Sequence, residues 1–384
     1  MFYFLCKTIL HGRNGYSITA QNLSIPPLST FLRYLTSDAS QHSFIVSYLT
    51  NTCGFSPESA LSASKFYRLQ TLDNAVLVLS IFKNLGCSKF HISYIILKLP
   101  RILASNPERT IIPKLEFFRS KGASNSDLVR IFSCCPWILE RGLEKQLVPS
   151  FNFFRDLLQS DQKTIAAVKC CPSILLCRLE ARVIPVINIL RENGVPEANI
   201  LHLIRYHPMK LHTNPDNFKK VLEEVRLMGF SPLKVHFVLA IVVLMGVRKS
   251  VWENKVDVYK RWGWSNEDVI TAFGKHPFCM RISDDKIMAV MDFYVNKLGL
   301  DSSVIVNCPV LLALSLKKRI VPRGSLIQFM SSKGLVKIDS HIATLLKHSE
   351  KNFIEKFVNR YEESPQLLKL YSELKQQGEQ QQDS

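Results

Sequence analysis

An all-α helical-repeat solenoid is the fold class predicted for this 384-residue sequence, and three periodic signals predict it. The first is a proline followed by apolar residues, as in Pro100-Arg-Ile-Leu, Pro136-Trp-Ile-Leu, Pro172-Ser-Ile-Leu, Pro208-Met-Lys-Leu, Pro277-Phe-Cys-Met and Pro309-Val-Leu-Leu. The first four of these prolines are each 36 residues apart. The second is a glycine series, Gly54, Gly86, Gly122, Gly194, Gly229, Gly263, Gly299 and Gly334, with Leu158 in the slot midway between Gly122 and Gly194. The third lies two residues after each glycine slot, at Ser56, Ser88, Ser124, Ser160, Pro196, Ser231, Ser265 and Asp301. Self-similarity at such a period is the mark of a stacked array, so length alone does not set the number of domains.

Each signal has a mechanical reading. Pro113, Pro149 and Pro185 precede their glycine slots by nine residues and start a helix A, where a missing N–H leaves no bond unmade. The glycine ends helix A in the left-handed conformation. The Ser or Asp caps helix B by accepting from an unpaired N–H of its first turn. Helix B stops before the next repeat proline, which disfavours a helical predecessor. The apolar pair behind that proline, Ile138 with Leu139 or Ile174 with Leu175, is predicted to plug the core. Helix B is expected to begin near Ser88, Ser124, Ser160, Ser231 and Ser265. Leu115, Phe117 and Phe118 in one helix A, and Val129, Ile131 and Phe132 in the next helix B, give each helix an apolar face that only stacked neighbours can bury. No segment sustains strand alternation. About eight units of roughly 36 residues follow from this period.

Two slots are irregular. Pro208 and Pro277 are 69 residues apart, and the missing proline slot falls at Val243. Val243 lies inside the longest apolar run, Phe237 to Val247. Eleven helical residues reach only about 16 Å, short of a bilayer core of about 30 Å, so a buried core helix is expected and no membrane insertion. The Gly299 to Pro309 interval is shortened to ten residues, and an atypical last unit is usual in solenoids.

Composition bounds the function. The net charge is +17 at pH 7 and the pI about 9.4, a surplus that points to an acidic partner such as nucleic acid. The ten cysteines include the adjacent pairs Cys134-Cys135 and Cys170-Cys171, which suit neither bridges nor a metal cage; a reducing compartment fits them. Residues 1–37 hold no Asp or Glu but do hold Lys7, Arg13, Arg33 and several hydroxyl residues, and they read as an organelle transit peptide. The repeat array is expected over 38–365, and 366–384 as a polar, disordered tail.

Walker A, dinucleotide-fold, HExxH and GxSxG motifs are absent from the sequence, so the expectation is a non-enzyme without cofactor. Cys135, Cys171, His207, His276 and Cys308 each precede a repeat proline. They recur one per unit rather than converging, so packing explains them better than a zinc site. His202, His207 and His212 are five residues apart and share no helical face; no metal is assigned. Arg101, Arg141, Arg178, Lys210, Arg248 and Arg281 each fall one to six residues after a repeat proline slot, and Lys317, Lys318, Arg319 and Arg323 cluster near the end. One cation per unit along an array makes a stripe that can follow phosphates. The candidate nucleic-acid contacts are therefore Arg101, Arg141, Arg178, Lys210, Arg248, Arg281, Arg319 and Arg323.

The tandem Pro-x-apolar-Leu units and the segment Ser315-Leu-Lys-Lys-Arg-Ile-Val-Pro-Arg323 resemble the mitochondrial transcription termination factor (mTERF) family. The segment is similar to that family's near-C-terminal Ser-Leu-Glu-Lys-Arg-Ile-x-Pro-Arg signature, with Lys317 in place of the Glu. The likeness spans about 42–365 and is greatest to plant organellar members. It implies a left-handed superhelix of units with two α-helices and a short 3-10 turn. It also implies a positive groove for double-stranded DNA or, in some members, RNA, and a role in organelle transcription termination, initiation or splicing. The partner expected is thus double-stranded DNA or structured RNA, with organellar transcription or splicing proteins besides. The expected state is a monomer, and the location the mitochondrion or alternatively the chloroplast. A protein-interaction solenoid without nucleic-acid binding is the competing expectation.

Overall fold

Helix pairs lie where the glycine and serine periods place them. The computed structural model describes residues 46–47, 50–51, 56–64, 72–339 and 341–380; the expected transit segment lies outside them. The regular pairs are Leu72–Leu85 with Lys89–Lys98, Ile112–Ser120 with Asn125–Cys134, Val148–Leu158 with Asp161–Cys170, and Ile184–Glu192 with Glu197–Tyr206. Further pairs are Pro215–Leu227 with Val235–Leu244, Lys249–Lys260 with Asn266–Lys275, Asp284–Met291 with Ser302–Asn307, and Val321–Ser332 with Ile342–Lys347. Among the described residues there is no strand. One buried apolar cluster runs from Ala60 to Tyr371, so the core is a ribbon shared by all units, as stacking requires.

The caps form as the residue types dictate. Gly86, Gly122, Gly194, Gly229, Gly263, Gly299 and Gly334 all have positive φ. Ser88, Ser124, Ser160 and Ser265 accept from the third N–H of the helix that follows, and Asp301 accepts from Ser303. After helix B come the 3-10 turns Pro100–Ala104, Pro136–Glu140, Pro172–Leu176, Pro208–Lys210, Pro277–Arg281 and Pro309–Ala313. Ile138, Leu139, Ile174 and Leu175 are each 2% exposed or less, so these turns do plug the core. Where Pro is missing, Val243 continues the helix Val235–Leu244 and is buried with Phe237, Val238 and Ile241.

Three expectations are corrected and one is extended. Pro149 and Pro185 stand in the first turn of helix A as expected, but the chain is already helical ahead of them. π-helical turns, Leu143–Leu147 and Leu179–Val183, lead into helix A, and a third, Leu316–Ile320, precedes Pro322. A proline ring collides with the carbonyl four residues back, and widening the preceding turn relieves that contact. At the Leu158 slot, the left-handed residue is Gln159, at φ 54°, because helix A ends on the slot rather than two residues before it as in Ile112–Ser120 and Ile184–Glu192. The helix after Gly229 begins at Val235 rather than beside Ser231. There Lys234 N–H donates to the Ser231 carbonyl, and Asn199 of the preceding unit donates to the Leu233 carbonyl at 3.1 Å, which holds that segment as a turn. Lastly, the expected tail folds as helix Ser364–Gln380. Its Leu367 and Tyr371 are buried and Leu368, Leu370 and Leu374 partly so, an apolar stripe that packs on Val321–Ser332.

Four units are also closed by a cation of helix A, buried at Lys114, Lys255 and Arg323 and half-buried at Lys286. Lys114 donates to the Leu139 carbonyl, Lys255 to the Ile282 carbonyl and to Asp284, and Lys286 to the Ala313 carbonyl at 3.0 Å. Arg323 donates to the Leu346 carbonyl at 3.0 Å and the His348 carbonyl at 2.6 Å. Each acceptor carbonyl lies within one residue of the C-terminal end of the same unit's 3-10 turn or helix B, where carbonyls lack intrahelical partners. Burial pushes the Lys114 ammonium down to about 8, opposed by Glu140, and burial lowers Lys286.

Candidate nucleic-acid interface

The 3-10 turns of successive units sit side by side. Pro136–Glu140 packs on Pro172–Leu176, which packs on Pro208–Lys210, and Pro277–Arg281 packs on Pro309–Ala313. The hydroxyl of Ser173 lies 3.3 Å from the Met209 sulfur, joining the same slot in adjacent units. Across the unit that lacks a turn, the His207 ring reaches the Phe278 ring at 5.7 Å between centroids. The row thus continues past the Val243 irregularity.

Six of the eight candidate cations belong to this row or its exit. Arg101 and Arg281 lie within 3-10 turns, Lys210 ends one, and Arg141 caps another. Arg178 precedes the π-helical turn Leu179–Val183, and Arg248 caps Lys249–Lys260. Arg101, Arg141, Arg178 and Arg248 are exposed, while Lys210 and Arg281 are half-buried. Lys210 and Arg281 are near enough that the guanidinium, after burial, holds the Lys210 ammonium below its usual range. His207 lies beside them. Burial first, then His202, Arg281 and Lys210, push its imidazolium down to about 4. Among the described residues, none of these six cations is ion-paired with a carboxylate, whereas Lys169, Arg191, Lys255 and Lys375 each are.

The last two candidates are elsewhere in chemistry. Arg323 is 1% exposed. Its guanidinium is spent on the Leu346 and His348 carbonyls, on Glu350 at 2.8 Å, and on the Phe353 ring face at 4.4 Å. It cannot meet a phosphate and is withdrawn as a candidate contact. Arg319 is half-buried and donates to the Lys347 and His348 carbonyls, so it also holds the chain's end together. Burial, then Arg323, lowers its pKa. In the same cluster Lys317 and Lys318 remain exposed.

One residue on the row was missed. Trp137 stands in the slot directly after Pro136 and is 48% exposed, between the slots of Arg101 and Ser173. The sequence carries a signal for it, since the two residues following Trp137 are the ones that turn inward. An exposed indole among cations has the chemistry to stack on a base. No group of three or more His, Cys, Asp or Glu able to hold a metal ion occurs among the described residues.

The order of helix, glycine, helix and 3-10 turn is matched by comparison with known proteins. The mTERF family model matches residues 79–290 and again 240–354. The overlap of the two matches is what a tandem array produces, because one pattern fits in more than one register. A mitochondrial transcription termination factor of Arabidopsis thaliana, MTERF15, is 25% identical over 176 residues. That match covers 42% of this chain and 40% of the relative, so the chain spans less than half of that protein's length. With more than half of its length matched by the family model, over residues that fold as tandem helix pairs, the chain belongs to the mTERF family.

Proposed function

We propose that this protein binds nucleic acid along its row of 3-10 turns and thereby regulates transcription, including termination, or RNA processing in an organelle. The observation that carries this reading is the set of six cations on that row and its exit, with no carboxylate partner among the described residues, in a chain whose net charge is +17. Membership of the mTERF family and the printed name of the Arabidopsis relative support the same direction. Double-stranded DNA is the favoured ligand. Arg101, Arg141, Arg178, Lys210, Arg248 and Arg281 contact phosphates, and these contacts set position rather than sequence. The protein acts as a monomer. Residues 1–37 address it to the mitochondrion, with the chloroplast as the alternative, and a fusion of those residues to a fluorescent reporter tests that address.

Salt dependence tests the binding. If six phosphates are neutralised on duplex DNA, log K falls with log salt at a slope of about −5. Replacing Arg141, Arg178 and Arg281 together by Gln weakens binding to all sequences and flattens that slope by about three. Titrations of labelled duplex and single strand from 50 to 300 mM salt, on the order of the range where counterion release dominates, give both values. A folded protein that shifts neither nucleic acid at low salt overturns the reading in favour of a protein-interaction solenoid.

A further inference from the structure

A cleft of about 620 Å³ opens between the turn after Pro215–Leu227 and the C-terminal half of helix Asn266–Lys275. Met228, Phe230 and Ile270 supply its apolar wall, Lys234 and Lys275 its charge, and Gly274 its opening. Its origin is local. The late start of helix Val235–Leu244 leaves Ser231 to Lys234 as a turn, and Gly274 contributes no side chain on the facing helix. A Cβ built at Gly274 meets no atom within 4 Å.

We propose that this cleft docks an acidic amphipathic segment of a partner protein, with one large apolar side chain of that segment seated between Phe230, Ile270 and Gly274. Three features select this occupant. The two most exposed large apolar side chains of the described residues, Leu227 at 82% and Leu233 at 71%, lie directly beside the lining residues Met228 and Lys234. Exposed leucines around an apolar cleft are the arrangement of an anchor pocket with its surrounding contacts. The lining residues include two lysines and no carboxylate, so an acidic segment is the complementary one. No residue lining the cleft belongs to a 3-10 turn, although Lys275 stands two residues before the turn Pro277–Arg281, and the nucleic-acid salt slope is read beside peptide binding to keep the two surfaces distinct. The inference therefore stands or falls separately from nucleic-acid binding.

The test is selection of a displayed library of random 16-mer peptides, a length of about four helical turns, on the purified full chain. The Gly274→Leu variant provides the counter-selection. Leucine there fills open space and replaces glycine by a better helix former, so the variant keeps its fold and its nucleic-acid salt slope. Peptides enriched on the wild-type chain are expected to carry large apolar residues three or four apart and a net negative charge. Their affinity should drop at least tenfold on Gly274→Leu and again on Lys234→Glu. Enriched peptides that are neutral or basic overturn the proposal, as do peptides that bind the Gly274→Leu variant equally well, or no enrichment at all. A concentration-dependent dimer that Gly274→Leu abolishes makes a second copy of the chain the occupant, and overturns it too.

Discussion

Arg141 and Arg323 both follow a proline, Arg141 by five residues and Arg323 by one, yet Arg141 is exposed and Arg323 is 1% exposed. The difference is position within the unit. Arg141 follows the 3-10 turn, where the chain passes along the row and its side chain has no protein acceptor to turn towards. Arg323 follows Pro322 in the first turn of helix Val321–Ser332, on a side turned to the helix Ile342–Lys347 of its own pair. There it finds the carbonyls at the end of Ile342–Lys347 and the carboxylate of Glu350. Lys114 follows Pro113 in the same register and is buried in the same way. Charge alone does not mark a phosphate contact in a solenoid; the register of the charge does.

The comparison is easiest to break at Arg323. Arg323→Met strands the carbonyl of Leu346, leaves that of His348 to Arg319, and leaves Glu350 with Lys375 and Tyr371. Glu350 is 44% exposed, so the loss lies in the unpaired Leu346 carbonyl, about 1–3 kcal/mol, and in the cation–ring contact with Phe353, about 2 kcal/mol; a large fall in the urea midpoint is expected, while the nucleic-acid salt slope of the protein that remains folded does not change. A flattened slope with an unchanged midpoint would move Arg323 back to the phosphate row. Next in size is Ile174→Ala. Ile174 is 1% exposed behind Pro172, and its truncation is expected to cost about 2–5 kcal/mol. Denaturant titration that finds less than about 0.5 kcal/mol, the range of a surface substitution, would mean that the 3-10 turn does not plug the core.

A third test lies on the row itself. His207, with an ordinary value of 6.5, is pushed down to about 4. Between those two values the unfolded chain binds the proton and the folded chain does not, so stability rises with pH across this window and is lost as pH falls through it. Burial lowers His202 and His276 in the same direction. His207→Leu places at this slot the residue found at Leu99, which is 2% exposed. Denaturation at pH 7 and at pH 4.5 should show a smaller acid loss for this variant than for the parent chain. An equal loss would place the titration elsewhere.

Most of the architecture was legible because its signals are backbone constraints. A glycine with positive φ, a serine cap and a proline stop act through three or four neighbouring atoms, so their spacing alone locates the helix ends. The π-helical turns were not read, although Leu143, Leu179 and Leu316 each stand six residues before a proline. Their widening answers a collision that the proline makes with a turn already formed. The fate of the cations was less legible still. Arg323 and Arg141 look alike in sequence because the carbonyls that capture Arg323 lie 23 and 25 residues away. Ser231 misled for a related reason: the Asn199 side chain that holds the Leu233 carbonyl is 34 residues from it. Leu367, Tyr371 and Leu374 carried a helical stripe that the polar composition around them obscured.

The smallest effect separates backbone from side chain at the one slot where glycine is absent. Gln159 sits at φ 54° in the left-handed region, where a residue with a Cβ is strained by about 1–2 kcal/mol. Its side chain recovers part of that by donating to the Asp156 carbonyl on the exposed surface. Gln159→Gly relieves the strain, loses that bond and loosens the unfolded chain, so a net gain of about 0.5 kcal/mol is expected. Gly122 provides the converse. It has φ +86°, and a Cβ there meets nothing within 4 Å, so Gly122→Gln changes the backbone preference without adding a clash. That variant should lose about 1 kcal/mol. Urea midpoints of the two variants, measured side by side, should move in opposite directions. If both fall, the left-handed residue at 159 is held by its side chain, and the helix end after Leu158 is a different device from the glycine ends of the other units.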